Sequence, residues 1–363
     1  MSTKLTVKSA AGDYPISVGF NIVDEALKTY FDNSSAPACF LFVDENVWKH
    51  HQPKLKQIFD EIGLPYRSFI IPEGEKSKSI KQWQVAVNFL LKNGVRRNTP
   101  LVAVGGGITG DLSGFAASSA LRGIPLIHVP TTVLAMVDSS IGGKTGINHE
   151  TGKNLIGAFY QPEMVVADTQ FLQTLPRKEW INGLSEILKY GAISNSDIFE
   201  MSELFFEEDL RQVDQQELIK LIELCMGVKV DIVQKDEFEG GVRAFLNFGH
   251  TFAHALEKAA DFDQISHGEA VFLGMLAAID LSNRVGFSID DRSIRTFRPL
   301  YNFGVSSDSL NRDRLIEYMK SDKKMVNEHI RFILLKGWQH PVLRTVKDET
   351  QIADSWLAAL KEL

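Results

Sequence analysis

A chain of 363 residues is too long for one ordinary hydrophobic core and predicts two domains. With 44% hydrophobic and 23% charged residues it has the composition of a soluble, globular, enzyme-sized protein, and a formal charge of −7 with no evident basic face argues against a nucleic-acid surface. Cys39 and Cys225 sit far apart in apolar segments, as reduced, buried thiols do, and no apolar run has the length of a signal-peptide core or a membrane span, so the expected location is the cytoplasm with no membrane partner.

Up to about Asp168 the chain alternates short apolar, β-branched runs with longer helical patterns. Strands are predicted over Tyr14 to Val18, Cys39 to Val43, Arg67 to Ile71, Pro100 to Val104, Leu126 to Val129 and Met164 to Ala167. Helices are predicted over Lys54 to Ile62 and Ser79 to Asn93, the second stopped by Gly94. This alternation implies a parallel sheet with helices on its faces, and ligands in such sheets sit beyond the carboxyl ends of the strands.

Three strand ends carry suggestive residues. After Val43 come Asp44, Glu45 and Asn46, which could accept a ribose or simply turn the chain. The loop from Pro72 to Lys78 is charged, includes Glu75 and Lys78, and leads into a helix with Ser77 or Ser79 as a cap. The strand ending at Val104 runs into Gly105-Gly106-Gly107-Ile108-Thr109-Gly110-Asp111 and then a helix through Ala120. Consecutive glycines admit a pyrophosphate close to the backbone, and the helix start offers free N–H groups, although the loop is not the G-x-G-x-x-G fingerprint.

From Arg122 to Gln161 small, polar and cationic residues dominate: Pro130-Thr131-Thr132, Asp138-Ser139-Ser140, Gly142-Gly143-Lys144-Thr145-Gly146 and Gly152-Lys153-Asn154. A Walker-A loop is excluded because Asp138 stands where the first glycine belongs; a flexible surface loop is the plainer alternative for Gly142 to Gly146. Arg122, Lys144, Lys153 and Lys189 point to an anionic small molecule as partner.

Beyond Pro176 the pattern turns helical. Helices are predicted over Lys178 to Tyr190, Ser196 to Glu203, Gln215 to Gln234, Thr251 to Lys258, Ala270 to Val285, Asp290 to Leu300, Arg312 to Lys320 and Gln351 to Leu363, with a single later strand, Ile330 to Leu335. The domain boundary is expected in the Phe171 to Arg177 stretch, dividing the chain into 1–175 and 176–363. Glu186 and Lys189 share a helix face in apolar surroundings, which argues for partial burial over an exposed ion pair. Lys229 lies in an apolar helix, and Arg243 and Asn247 precede His250, His254 and His267. His250 and His254 stack one turn apart on a helix, and two histidines with Glu186 would leave a metal one open position; unrelated helix-lining histidines are the bland alternative.

Taken together, the segments Gly105 to Asp111, Arg122 to Pro125, Val129 to Thr132, Val137 to Asn148, Gly152 to Pro162, Glu186 to Gly191, Leu246 to Thr251 and His267 to Val271 resemble the 3-dehydroquinate synthase family of sugar phosphate cyclases. The resemblance implies an N-terminal α/β dinucleotide-binding domain with a parallel sheet and a mainly α-helical C-terminal metal- and substrate-binding domain. It implies conversion of 3-deoxy-D-arabino-heptulosonate 7-phosphate to 3-dehydroquinate and phosphate, in the shikimate route to aromatic amino acids, through transient oxidation by NAD, phosphate elimination, reduction and intramolecular aldol closure. Carried over residue by residue, the metal ligands for zinc or cobalt are Glu186, His250 and His267. The NAD contacts are Asp44, Glu45, Asn46, Glu75, Lys78, Gly106, Gly107, Ile108, Asp111, Thr131, Thr132, Asp138, Ser139, Lys153, Phe171, Leu172, Gln173, Thr174 and Asn182. The sugar phosphate falls to Arg122, Lys144, Asn154, Lys189, Lys229, Arg243, Asn247, His254 and one lysine of Asp322-Lys323-Lys324, with Lys323 favoured; Glu239 and His254 match proton acceptors. A homodimer is the family expectation. Ser185 stands where alanine, and Ala253 where glycine, is expected. Another sugar phosphate cyclase or a metal-dependent polyol dehydrogenase are the competing readings.

Overall fold

The computed structural model describes residues 2–260, 264–305, 312–321, 325–326 and 329–363. The chain divides into two compact units, Met1–Pro176 with Arg211–Glu237, and Arg177–Leu210 with Phe238–Leu363. The segment Arg211–Glu237 thus packs with the first unit, which a single cut between residues 175 and 176 does not anticipate.

The first unit starts with the strand pair β1 (Ser2–Val7) and β2 (Tyr14–Gly19), then α1 (Val23–Asp32), β3 (Cys39–Asp44), α2 (Glu45–Ile62), β4 (Tyr66–Ile71) and α3 (Ile80–Lys92). It continues with β5 (Leu101–Gly105), α4 (Gly107–Ser119), β6 (Leu126–Pro130), a hairpin of β7 (Lys144–His149) and β8 (Gly152–Phe159), and β9 (Met164–Asp168). The main sheet runs β1-β2-β9-β6-β5-β3-β4, parallel throughout except for β1 against β2. Strand alternation builds both cores. Leu41, Val43, Val102 and Val104 face α1 and α2 through Leu27, Phe31, Leu55 and Phe59. Phe40, Phe42, Leu101 and Ala103 face α3 and α4 through Ala86, Leu90, Leu112 and Ala116. Each leucine, valine and phenylalanine among these contributes about 1.5–3 kcal/mol by leaving water.

From β3 the chain steps to β4 on one side and then to β5 on the other. The topological switch point therefore lies between β3 and β5, whose carboxyl ends carry Asp44 and Gly105.

His128, on β6, turns its ring toward α4, where Gly110 lies close enough that an added Cβ would stand 3.5 Å from its Cε1. Burial pushes this imidazole down to about 4. Because the folded state holds the ring neutral while the unfolded chain protonates near 6.5, stability is full above pH 6.5 and falls as pH drops toward 4, by about 3 kcal/mol. In urea titrations the parent should lose about that much stability relative to His128→Gln between pH 7 and pH 4; an unchanged difference would exclude His128 as the acid-sensitive group.

Two helices differ from expectation. The predicted helix over Lys54 to Ile62 begins instead at Glu45 and runs through Pro53, its start fixed by Asp44, whose carboxylate accepts the N–H of Asn46 at 2.9 Å and of Val47 at 3.3 Å. The loss of one backbone donor at Pro53 is tolerated within a capped helix packed on the sheet. The predicted Asp290 to Leu300 helix is a single turn, Arg292–Arg295, followed by a 3-10 turn, Arg298–Leu300, because Pro299 cannot extend the first.

The second unit holds α5 (Arg177–Ile193) and α6 (Asp197–Met201). The chain returns to the first unit as α7 (Gln215–Lys235) and then supplies the second with α8 (His250–Ala259), α9 (His267–Arg284), α10 (Arg292–Arg295) and α11 (Arg312–Ser321). A small antiparallel sheet of β10 (Met325–Val326), β11 (His329–Leu335) and β12 (Pro341–Val346) precedes α12 (Glu349–Leu360). β11 corresponds to the one strand predicted here; β10 and β12 are additional. α9 is buried nearly all round, as the central helix of this unit must be, with α5, α8, α12 and β11 against it.

Candidate metal centre and nucleotide-type cradle

Three backbone features bring the ligand-type side chains of the second unit together. α9 begins at His267 because Ser266 and Glu269 form a reciprocal cap: Ser266 Oγ accepts the Glu269 N–H at 3.3 Å and Glu269 Oε2 accepts the Ser266 N–H at 2.7 Å. Gly268 then lies so close to α5 that a Cβ there would sit 2.2 Å from the Asn182 carbonyl oxygen, while its N–H donates to Asn182 Oδ1 at 2.6 Å. Gly249, with φ +80°, likewise lets α8 approach α9, since a Cβ would meet the Met275 nitrogen at 2.8 Å. Ser185 Oγ adds a bond to the Gly268 carbonyl at 2.6 Å and lies 2.7 Å from the Tyr301 hydroxyl, so this departure from alanine gains two partners.

The result is a cluster of Glu186 on α5, His250 on α8 and His267 on α9 whose ligand-type atoms lie within 4.8 Å of one another. Glu186 Oε1 is 3.3 Å from His250 Nε2 and 3.4 Å from His267 Nε2. That oxygen is buried and accepts no well-formed hydrogen bond among the described residues, while the other carboxylate oxygen accepts from the Lys189 ammonium. Glu186 and Lys189 are each 1% exposed, so the pair is a buried one. Burial alone would raise the Glu186 carboxyl; Lys189 and the two imidazoles outweigh it and hold it well below the usual carboxylate range.

The outer nitrogens of both imidazoles are also occupied. His250 Nδ1 donates to the Phe248 carbonyl at 3.1 Å, which turns the Nε2 lone pair toward Glu186. His267 Nδ1 lies 3.4 Å from Glu257 Oε1. Burial would lower His267, but the Glu186 and Glu257 carboxylates push it up to about 10, whereas burial brings His250 down to about 4 against the pull of Glu186. The donor set of one carboxylate and two imidazoles, with one buried oxygen lacking a donor, fits a divalent cation such as zinc or cobalt. His254 is exposed beside it, its ring edge-on to His250 with centroids 5.6 Å apart. Asn247 Nδ2 donates to Glu239 Oε1 at 2.7 Å, and Arg243 is buried. Asn182, expected at a cofactor, spends its amide on Gly268 and on Glu179 at 3.1 Å. Lys323 lies outside the described residues. Glu257 is absent from the expected set, although its spacing of seven from His250 and three from His254 places it on the same face of α8.

In the first unit, Gly106 caps α4 without a side chain, leaving the helix start lined by Gly106, Gly107 and Ile108. A Cβ at Gly106 would meet Thr132 at 3.1 Å and one at Gly107 would meet Ser139 at 3.2 Å, so the loop is packed as well as permissive. Such a start suits a phosphate. Asp44 is engaged in its cap, Glu45 pairs with Lys49 at 3.5 Å, and Asn46 Nδ2 donates to Glu73 at 2.7 Å. Lys78 bridges Asp111 Oδ2, at 2.6 Å, and Asn154 Oδ1, and Asn148 Nδ2 donates to Glu75 at 2.7 Å. Burial raises the Asp111 carboxyl despite Lys78. Asp138 and Ser139 sit on a π-helical turn, Ala135–Ser139, and Lys229 of α7 donates to the Asp138 carboxylate at 2.7 Å. Thr131 is buried, Thr132 caps the turn through the Ala135 N–H, and Lys153 is half-buried on β8. Phe171 and Leu172 are buried; Gln173 and Thr174 are exposed, with Thr174 Oγ1 2.7 Å from His51 Nε2. Arg122 and Lys144 are exposed. Gly142 to Gly146 is no loose loop: from Lys144 it is strand β7, which pairs with β8.

A solved structure of 2-deoxy-scyllo-inosose synthase, complexed with carbaglucose-6-phosphate, NAD+ and Co2+, is 27% identical, covers 99% of this chain and 100% of its own, and superposes with a TM-score of 0.85. Fold and site together therefore define the sugar phosphate cyclase class. Residues 68–182 match the family described as 3-dehydroquinate synthase N-terminal, and residues 183–325 the one described as 3-dehydroquinate synthase C-terminal. The 3-dehydroquinate synthase of Salinibacter ruber is 41% identical over 336 residues, 89% of this chain and 91% of the relative, and that of Acidithiobacillus ferrooxidans 41% over 335 residues, 92% of each. The chain belongs to the 3-dehydroquinate synthase family.

Proposed function

We propose that the chain converts 3-deoxy-D-arabino-heptulosonate 7-phosphate to 3-dehydroquinate and inorganic phosphate, as a carbon–oxygen lyase of the shikimate route, with NAD and one zinc or cobalt ion. The observation that carries the reading is the clustered Glu186, His250 and His267 set in a chain that matches this family across both units. When bound, the metal supplies Lewis-acid polarisation of a substrate oxygen, and the nicotinamide a hydride acceptor that returns what it takes.

Glu186, His250 and His267 hold the metal, and Lys189 neutralises the Glu186 oxygen turned away from it. Asp44, Glu45, Asn46, Glu75, Lys78, Asp111, Lys153 and Phe171 to Thr174 bind the cofactor around the strand ends, with Gly106, Gly107 and Ile108 on its phosphates and Thr131, Thr132, Asp138 and Ser139 beside them. Asn182 also contacts the cofactor, while its side-chain oxygen anchors Gly268 next to the metal ligand His267. Arg122, Lys144, Asn154, Lys189, Lys229, Arg243 and Asn247 hold the carboxylate, hydroxyls and phosphate of the substrate, with Lys323 as a further cation. His254, exposed beside the metal ligands, and Glu239, held by Asn247, accept protons. Holding both ends of one molecule favours the closing aldol step. The active form is a cytoplasmic homodimer. Among the described residues no helix is long and apolar enough to cross a membrane.

Purified, metal-loaded protein with NAD should release phosphate from the heptulosonate phosphate with no net NADH. Net NADH from simple polyols, without phosphate release, would instead identify a dehydrogenase.

A further inference from the structure

We propose that Glu257 is the positioning carboxylate of this metal centre: its Oε1 accepts the Nδ1 proton of His267 and so fixes the tautomer and ring plane that present Nε2 to the ion. The inference rests on the proposed reading of Glu186, His250 and His267 as metal ligands, and adds a residue that does not touch the metal.

The two imidazoles are held differently. His250 leans on a neutral backbone carbonyl, Phe248, at 3.1 Å, whereas His267 faces a carboxylate at 3.4 Å. Glu257 is 3% exposed, and a buried carboxylate is costly unless it meets a donor. α8 carries His250 and, two turns later, Glu257, so one helix provides a ligand directly and orients a second ligand belonging to α9. A rotation of the His267 ring would swing Nε2 away from Glu186 Oε1, now 3.4 Å away, so the orientation of this ring sets the geometry of the site. A carboxylate on the outer nitrogen also makes the imidazole a stronger donor, and loss of such a partner weakens metal binding about 10- to 100-fold.

The test uses the full chain, Zn2+ affinity measured by chelator competition, and the visible absorption of the Co2+-loaded protein. Glu257→Gln, which keeps an acceptor but not the charge, should weaken Zn2+ binding on the order of 10-fold, and Glu257→Ala on the order of 100-fold. In both, the Co2+ bands should shift while a thermal melt of the metal-free Gln variant stays close to the parent. If Glu257→Ala does not fold, the Gln variant decides alone. Parental Zn2+ affinity and Co2+ spectrum in Glu257→Gln, with binding lost in His267→Ala, would overturn the role of Glu257 and leave the metal centre standing. Parental binding in His267→Ala as well would overturn both.

Discussion

Glu186→Gln is expected to lose tight Zn2+ or Co2+ binding and, with it, on the order of 10³-fold or more in kcat/KM for phosphate release, while remaining folded. The substitution preserves shape and removes one negative charge that the two imidazoles cannot replace. The carboxylate is held ionised by Lys189 and the two histidines against the effect of burial, so the parent site presents an anion ready for a cation. Without the metal, His267 carries a proton, raised to about 10 by its carboxylate neighbours; a metal must displace it, and affinity therefore falls as pH is lowered. Both substitutions deprive the buried Lys189 of this carboxylate, but Glu186→Gln keeps an amide oxygen as acceptor, whereas Glu186→Ala removes the acceptor as well and should cost more stability, about 3–5 kcal/mol. Isothermal titration with Zn2+, paired with a melt of each metal-free variant, separates the two effects. Parental Zn2+ affinity in Glu186→Gln would remove Glu186 from the ligand set.

How much of this is legible in the chain depends on whether the signal is local. β3, β5 and β6 are buried on both faces and read as continuous apolar runs, so their positions follow from sequence within a residue or so. β7 and β8 do not, because Gly142, Gly143, Gly146 and Gly157 imitate a loop, although a Cβ at Gly157 would stand 2.0 Å from the Thr145 carbonyl oxygen and the residue is needed for strand contact. α7 reads correctly as a helix but its membership of the first unit does not, since that depends on Lys229 meeting Asp138, 91 positions earlier. The same distinction holds in the metal centre. The His250 to His254 spacing is visible, but His254 is not among the three clustered residues, and what joins Glu186 to the histidines is backbone contact at Gly249 and Gly268. No periodicity encodes a contact between helices. Family motifs bring Glu186 into view, and Glu257, which belongs to none of the quoted motifs, is found only once the His267 ring has a direction.

The strongest stability effect is expected at a residue outside the chemistry. Asp168, at the end of β9, is fully buried, and its two carboxylate oxygens accept the N–H groups of Asn21 at 2.7 Å, Ile22 at 2.8 Å, Val23 at 3.1 Å and Gln170 at 3.0 Å. It therefore ties β9 to the start of α1, whose own N-cap position, Ile22, has no side chain able to cap it, and it also starts the 3-10 turn Thr169–Thr174. Asp168→Ala leaves four backbone donors without this acceptor, the one on Val23 buried and the others partly so. Bonds to a charged group contribute about 1.5–3 kcal/mol each but do not add fully, which sets the expected loss at roughly 4 kcal/mol or more. Asp168→Asn keeps one acceptor oxygen, turns an amide donor toward the remaining N–H groups, and should lose roughly half as much. Because Phe171 to Thr174 lie on the turn that Asp168 starts, the Asn variant should also raise the KM for NAD while leaving Zn2+ affinity unchanged. Urea unfolding, with amide exchange read at Asn21, Ile22 and Val23, measures the first effect, and NAD titration of phosphate release the second. Slow exchange at those three amides in Asp168→Asn would show that the carboxylate is not what holds α1 to the sheet.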